Sequence, residues 1–385
     1  MPTAIVLGAG MVGSVMATDL AGDPGFGVTL ADSRPDALER ARARASAAGR
    51  SIDTLRVDLA DTAALKDAIE PHDIVLGALA SVIGFQTLRT VIEAGKPYCD
   101  ISFMPEDAID LDGLAKEHGV TAVVDCGVAP GMSNMLAARS VADLDKADSI
   151  EIYVGGLPRE RRWPFEYKAG FSPSDVIEEY MRPSRIVEGG KIVTRPALSE
   201  PELMDFDGIG SLEAFNTDGL RSLAYTMSVP NMKEKTLRYP GHIELMRVFR
   251  ETGLFGHDEI EVGGVRVKPI DVISTLMFPK WTYEPDEEDL TVMRIIVEGQ
   301  KNGRRERHSW DVLEFFDKAT RATSMSRTTA FPCTIMARLV ASGEFARPGV
   351  NPPERVGSDA AVVAHVLRAH AERGIEYRHN VESLG

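Results

Sequence analysis

Three glycines, Gly8, Gly10 and Gly13, stand at the spacing G-x-G-x-x-G directly behind the apolar run Ile5-Val6-Leu7. The chemistry open to them is capture of a pyrophosphate. A buried strand that turns straight into a helix presents backbone N–H groups and a helix N-terminus to an anion. Gly8 permits the tight turn, Gly10 keeps a side chain out of the path of the phosphates, and Gly13 lets helix and strand pack closely. Met11 and Val12 lie inside the same turn and join the glycines as expected cofactor contacts. Asp32 follows at about the separation of a ribose-binding carboxylate, where it accepts hydrogen bonds from adenosine hydroxyls and repels a 2′-phosphate. The competing reading is an N-cap for the helix that follows; spacing favours the ribose. Arg34 keeps NADP open, and NAD is the expected cofactor. Ser33, Asp58, Ala78 and Asp100, in or beside the ends of later β-like runs, complete the expected cofactor set.

A nicotinamide enzyme also needs side chains that orient a substrate and manage its proton. Three segments concentrate such residues: Gly155 to Pro158 followed by Pro164 to Lys168, Glu213 to Arg221, and Thr236 to His242. Together they bring acids, an amide, bases and glycines into short stretches. Taken singly, every one of these residues is more often structural. Glu166 and Lys168 read as solvated charges, and His242, just after Pro240-Gly241, reads as a helix-cap histidine. No C-x-x-C or H-x-x-x-H spacing points to a metal, and no G-x-S-x-G points to a serine hydrolase.

The elements that must hold these residues read in two styles. Up to Val124, short β-like runs alternate with helical ones, the pattern of an α/β, doubly wound parallel sheet. Its runs are Val28 to Ala31, Leu55 to Val57, Ile74 to Leu79, Lys96 to Asp100 and Val120 to Val124. From Gly127 the chain becomes richer in turns. Gly189-Gly190, Gly263-Gly264 and Asn302-Gly303 separate β-like runs, an α+β reading with a mostly antiparallel sheet. Thr329 to Ala341 reads as an apolar helix and Pro348 to Pro353 as a rigid loop. The 385 residues carry a net charge of −15, which disfavours nucleic acid and anionic membranes as partners. The acidic run Glu284 to Asp289 reads as a solvated loop. Three widely spaced cysteines argue for a reducing, cytoplasmic setting. No apolar run has the length to span a bilayer, and the N-terminus lacks the charge pattern of a targeting peptide.

At these polar segments the chain closely resembles the saccharopine dehydrogenase-like family, and within it the NAD-dependent lysine 6-dehydrogenases. The most specific matches are Gly127-Val128-Ala129-Pro130-Gly131-Met132, Tyr153-Val154-Gly155-Gly156-Leu157-Pro158, Glu213-Ala214-Phe215-Asn216-Thr217 and Arg238-Tyr239-Pro240-Gly241-His242. The resemblance implies a Rossmann NAD-binding domain over residues 1–126, an inserted substrate and dimerisation domain over 127–327, and a stretch 328–385 that returns to the first domain. It implies a homodimer. It also implies oxidation of a terminal amine: hydride leaves the ε-carbon of L-lysine, water adds to the imine, ammonia departs and the aldehyde cyclises.

In that reaction His242 or Glu166 takes the ammonium proton, with His242 preferred, and Tyr167 assists. Arg238 or Arg221 holds the α-carboxylate, and Asn216 and Thr217 orient the polar ends. Phe103, Ala129 and Val154 stand where the glutamate-forming saccharopine enzymes carry Tyr, Asp and Cys, which disfavours that subgroup. Lys168 stands where the lysine enzymes favour an amide, and Asp218-Gly219 replaces a small pair. A cationic Lys168 opposes a diamino substrate unless Asp218 or Glu166 pairs with it. The alternatives are a saccharopine- or carboxyspermidine-type enzyme acting on a secondary amine, a dehydrogenase for another small amine, and a non-catalytic NAD-binding regulator.

Overall fold

The computed structural model describes residues 2–384, which form two compact units. The first is the doubly wound sheet. It contains β1 (Thr3–Leu7), β2 (Gly27–Asp32), β3 (Asp53–Arg56), β4 (Ile74–Gly77), β5 (Tyr98–Asp100) and β6 (Thr121–Val123). All pairings are parallel and the order is β6-β5-β4-β1-β2-β3. The order reverses between β1 and β4, which opens the crevice where such sheets bind ligands. The inner strands are continuous apolar runs because helices bury both faces; Ile5, Leu7, Val75 and Tyr98 lie in one core with Leu88, Val91 and Ile92.

A seventh parallel strand, Gly349–Asn351, adds outside β6. It replaces the loop expected over Pro348 to Pro353. Gly349 has φ +121° and a Cβ there would meet Asp112 Oδ1 at 2.6 Å. That same carboxylate oxygen accepts from Val350 N at 2.9 Å. Three residues enclosed by prolines carry no alternation, so the strand is set by its neighbours rather than by its own pattern.

The first unit also reaches further than expected. It runs through Asp145 and takes in Tyr225–Met227 and Ser326–Tyr377. The helix Met132–Ala142 belongs to it because it packs against Pro353–Gly357, where a Cβ on Gly357 would meet the Met135 carbonyl at 2.3 Å. The returning stretch is clasped by Asp19, a largely buried carboxylate, 11% exposed, bonded to Thr334 Oγ1 at 2.6 Å, Arg338 Nη1 at 2.8 Å and Arg373 Nε at 2.9 Å. The return ends at Tyr377, not at 385. From Arg378 the chain rejoins the other sheet, because Arg378–Ser383 pairs antiparallel with Arg304–Phe315.

The second unit is built on β7 (Lys146–Pro158). Asp289–Lys301 pairs antiparallel with one edge of it and Asn231–Arg238 pairs parallel with the other. Gly210–Asn216 and Glu202–Phe206 extend the sheet antiparallel. The three turn signals all make hairpins with both central residues left-handed: φ is 55° and 78° at Gly189-Gly190, 59° and 80° at Gly263-Gly264, and 51° and 76° at Asn302-Gly303. Glycine and asparagine tolerate that conformation, which matches strand twist. Helices Pro173–Met181, His242–Glu251 and Pro269–Trp281 contribute to an aromatic core around Phe165, Tyr167, Tyr180, Phe215, Phe255 and Trp281.

Candidate functional site

The glycine turn separates what packing requires from what it does not. Gly8 has φ +101°, and a Cβ on it would meet the Ala78 carbonyl at 2.3 Å. A Cβ on Gly13 would meet the Gly8 carbonyl at 1.9 Å. Both are demanded by the fold. Gly10 is different: its Cβ position has nothing within 4 Å, so packing tolerates a side chain there. The open space lies at the N-terminus of α1 (Met11–Leu20), which no side chain caps among the described residues and whose first turn holds no acid. Orphan N–H groups and the helix dipole therefore face cleared space, as a pyrophosphate requires. Val12 is buried beneath the turn and Met11 is exposed.

Asp32 ends β2 beside this turn and does two things at once. Its Oδ2 accepts from Ala9 N at 2.7 Å, and its Oδ1 accepts from Arg34 N at 2.8 Å and Arg34 Nε at 3.2 Å. Burial pushes its pKa up, but the bonds from Arg34 and Ala9 outweigh that and hold it below the usual carboxylate value. Both lone pairs of Oδ1 are thus taken, and Oδ2, which Arg34 Nη2 reaches only at 3.5 Å, is the oxygen left for a ribose hydroxyl. The Arg34 side chain lies over the carboxylate yet is 57% exposed. Ser33 is exposed beside it. Ala78 holds its loop to β1 through Ala78 N to Leu7 O at 2.9 Å. Asp58 sits in an exposed turn and accepts from Ala60 N at 3.0 Å.

The contact expected at Asp100 is corrected. Its side chain is sealed in the unit, with Oδ1 accepting from Tyr98 Oη at 3.1 Å, Ser102 N at 3.1 Å and Ser102 Oγ at 2.7 Å. Burial pushes its pKa up to about 7. Ser102 Oγ in turn accepts from Leu79 N at 3.3 Å. Asp100 therefore fixes the loops after β4 and β5 rather than meeting a ligand itself.

In the second unit His242, Tyr167 and Arg238 do come together, but as a relay. His242 opens its helix after Gly241 at φ +96°. Its Nδ1 bonds the Phe165 carbonyl at 2.9 Å and its Nε2 bonds Tyr180 Oη at 3.0 Å. Arg238 Nε donates to the same hydroxyl at 3.2 Å, Nη1 to Leu237 O at 3.0 Å and Nη2 to Glu179 at 3.3 Å. The guanidinium lies 4.5 Å from the centre of the Tyr167 ring. Burial, and then the Arg238 charge, push the His242 pKa down to about 3. The ring is thus neutral at pH 7 with both nitrogens engaged. This corrects the general base expected at His242 and makes it a positioning residue. Burial works against the Arg238 charge, but Tyr167, Tyr180 and Glu179 outweigh it and hold the guanidinium protonated.

Glu166 does not join them. Its φ is +48° and its carboxylate pairs with Arg161 Nε at 2.6 Å near the surface, so the proton-taking role expected there is also corrected. Lys168 is buried and paired, though with neither Asp218 nor Glu166. Its Nζ donates to Glu287 at 2.5 Å and to the Thr282 carbonyl at 2.9 Å. Asp218 instead receives Arg185 through Nε at 2.9 Å and Nη2 at 2.8 Å. Thr217 Oγ1 bonds Glu234 at 2.6 Å, and Gly219 N donates to the same carboxylate oxygen at 3.0 Å. A Cβ on Gly219 would meet the Glu234 carboxyl carbon at 2.4 Å. Asn216 binds Ser199 and Glu200, each at 3.1 Å. Arg221 is buried with φ +53°.

Four residues of this cluster were not legible as such: Glu179, Tyr180, Glu234 and Glu287. Burial pushes the pKa of Glu179 up to about 7 and that of Glu234 up to about 8. Glu287 reads as part of a solvated acidic loop, and nothing in the sequence singles out the other three. Only the fold turns them inward. Among the described residues no group of three or more His, Cys, Asp and Glu side chains is placed to hold a metal. No helix among them is long and apolar enough to cross a membrane.

The open glycine turn at the switch of a parallel sheet, with a carboxylate at the end of β2, defines the first unit as a Rossmann dinucleotide-binding fold. Residues 4–123 match the family model described as the saccharopine dehydrogenase NADP binding domain, and residues 127–375 match the saccharopine dehydrogenase C-terminal domain. The chain belongs to the saccharopine dehydrogenase family. It is similar to a saccharopine dehydrogenase [NADP(+), L-glutamate-forming] of Pyricularia oryzae, at 24% identity over 66% of this chain and 58% of that protein. It is also similar to the carboxynorspermidine synthase of Vibrio cholerae, at 22% identity over 63% of this chain and 60% of that one. Against the first three curated relatives the match spans 36%, 45% and 58% of their length. The fold matches that of apo saccharopine dehydrogenase (L-Glu forming) from Saccharomyces cerevisiae, with a TM-score of 0.80 at 17% identity, covering 99% of this chain and 100% of that one.

Proposed function

We propose that this chain is an NAD-dependent oxidoreductase that oxidises the carbon bearing a terminal amine, with L-lysine first among its substrates. Family membership and the cleared turn at Gly10 support the oxidoreductase half. The observation that carries the amine half is the Lys168–Glu287 pair. A lone buried lysine would repel an ammonium substrate, whereas the pair is neutral, with side chains only 10% and 8% exposed. The objection to a diamino substrate disappears with it.

A bound nicotinamide ring supplies the hydride acceptor. The residues must deliver a neutral amine, because an ammonium has no lone pair to stabilise the forming iminium, and an alkyl ammonium of pKa about 10.4 is almost wholly protonated at neutral pH. With His242 locked neutral and Glu166 at the surface, Glu179 takes that proton. It is half-buried, burial and Asp175 raise its pKa to about 7, and its contact with Arg238 is a long one. Tyr167 and Tyr180 flank it and orient the amine. The test is NADH formation with NAD and L-lysine across pH 6 to 10. Glu179→Gln lowers kcat at least about a hundredfold, in the range of a lost general base. An unchanged kcat and pH profile would remove Glu179 from the reaction.

A second reading, NADH- or NADPH-dependent joining of an amine to a carbonyl compound, is supported by the similarity to the carboxynorspermidine synthase. Consumption of the reduced cofactor only when both are present distinguishes it.

A further inference from the structure

The geometry points to the Lys168–Glu287 pair as a receptor for an α-amino-acid head group. Glu287 Oε2 accepts from Lys168 Nζ at 2.5 Å and from Glu284 N at 2.9 Å. Its other oxygen, Oε1, is buried and receives no hydrogen bond among the described residues. Lys168 has three N–H donors; one goes to Oε2 and one to the Thr282 carbonyl at 2.9 Å. The pair therefore leaves over one buried acceptor on a carboxylate and one donor on an ammonium, side by side.

A buried carboxylate oxygen without a donor is costly, and its presence calls for something that donates to it. An α-amino acid in its zwitterionic form answers both halves: its ammonium donates to Glu287 Oε1 and its carboxylate accepts from Lys168 Nζ, as charge-assisted bonds. A neutral pair meeting a neutral zwitterion leaves no net charge to bury. The Tyr283 ring centre lies 5.8 Å from Lys168 Nζ, adding a face that favours cations. Tyr283 also ties this place to the relay, since burial first, then Asp289, Tyr167 and Glu287 nearby, hold its phenol well above the usual tyrosine value. The carboxylate anchor thus lies at Lys168, where the spare donor adjoins the spare Glu287 oxygen, rather than at Arg238, whose partner carboxylate Glu179 already receives its Nη2.

This inference rests on the proposed function only for the choice of an amine as substrate. Its test is binding rather than turnover: titration calorimetry on the NADH-loaded full chain with L-lysine, cadaverine, which lacks the carboxylate, and 6-aminohexanoate, which lacks the α-amine. L-Lysine is expected to bind at least tenfold more tightly than either. Glu287→Gln should abolish the preference over 6-aminohexanoate, and Lys168→Met the preference over cadaverine. If either variant fails to fold, Glu287→Asp, which withdraws the carboxylate by one methylene, should weaken L-lysine and leave 6-aminohexanoate unchanged. Equal binding of all three ligands to the wild type overturns the inference, as does a preference that survives in the folded variants. Failure of lysine to turn over while the binding preference holds would fault the proposed reaction and leave the receptor standing.

Discussion

Two glycines three residues apart carry opposite duties. Gly13 is required by packing, so Gly13→Ala should destabilise the first unit by at least about 1–3 kcal/mol, because the obstructing atom is a backbone carbonyl that cannot rotate away. Gly10 faces open space at φ −72°, so Gly10→Ala should leave the melting curve within about 0.5 kcal/mol while weakening NADH binding severely. Paired urea melts and NADH titrations check both. At His242 the residue-scale lesson runs the other way. Its type suggests a base and its place after Pro-Gly a helix cap, and burial and Arg238 take the basicity away. His242→Ala leaves the Tyr180 hydroxyl and the Phe165 carbonyl each short of a partner, which costs about 2–6 kcal/mol for two buried groups. Activity that remains in the folded variant should keep the wild-type pH dependence, which a true base would not allow.

At the scale of elements, local patterns were legible wherever burial or turn chemistry is periodic. The apolar runs of β1 and β4 and the three paired-residue hairpins needed no neighbours to be read. The strand Gly349–Asn351 did, because its hydrogen bonds come from β6 and Asp112. The same limit applied to charge. Glu179 and Glu287 look like solvated residues, and whether a carboxylate faces water or a buried lysine is decided by elements distant in sequence. The dinucleotide-binding turn of the first unit was therefore largely legible, and the polar cluster of the second unit only as a concentration of polar residues. The returning C-terminal segment is held by a clasp with no sequence signature, Asp19 between Arg338 and Arg373. Burial opposes that carboxylate's charge, and the two arginines outweigh it. Asp19→Ala strands two partly buried guanidinium groups and should cost about 3–5 kcal/mol in a urea melt, against little for exposed Asp36→Ala.

For the whole molecule, the buried titratable groups set opposing pH limits on stability. His242 in the second unit and His370 in the first are held neutral, at about 3 and about 4, by burial. Unfolding below the ordinary histidine value takes up protons, so this contribution is complete above about pH 6.5 and is lost as pH falls towards 3–4. Glu234, Glu179 and Asp100 are raised to about 8, 7 and 7. They hold protons in the native state, so their contribution is complete below about pH 4 and is lost as pH rises through 7–8. Stability should fall on both sides, with His370→Gln flattening the acid limb and Glu234→Gln the neutral-to-alkaline one in melts at stepped pH. Lysine oxidation is tested most directly by its stoichiometry with the purified full chain supplied with NAD and L-lysine. NADH, ammonia and a cyclising aldehyde should appear in equal amounts, and Gly10→Ala should lose all three. Tight NADH binding without release of ammonia from lysine would rule that activity out.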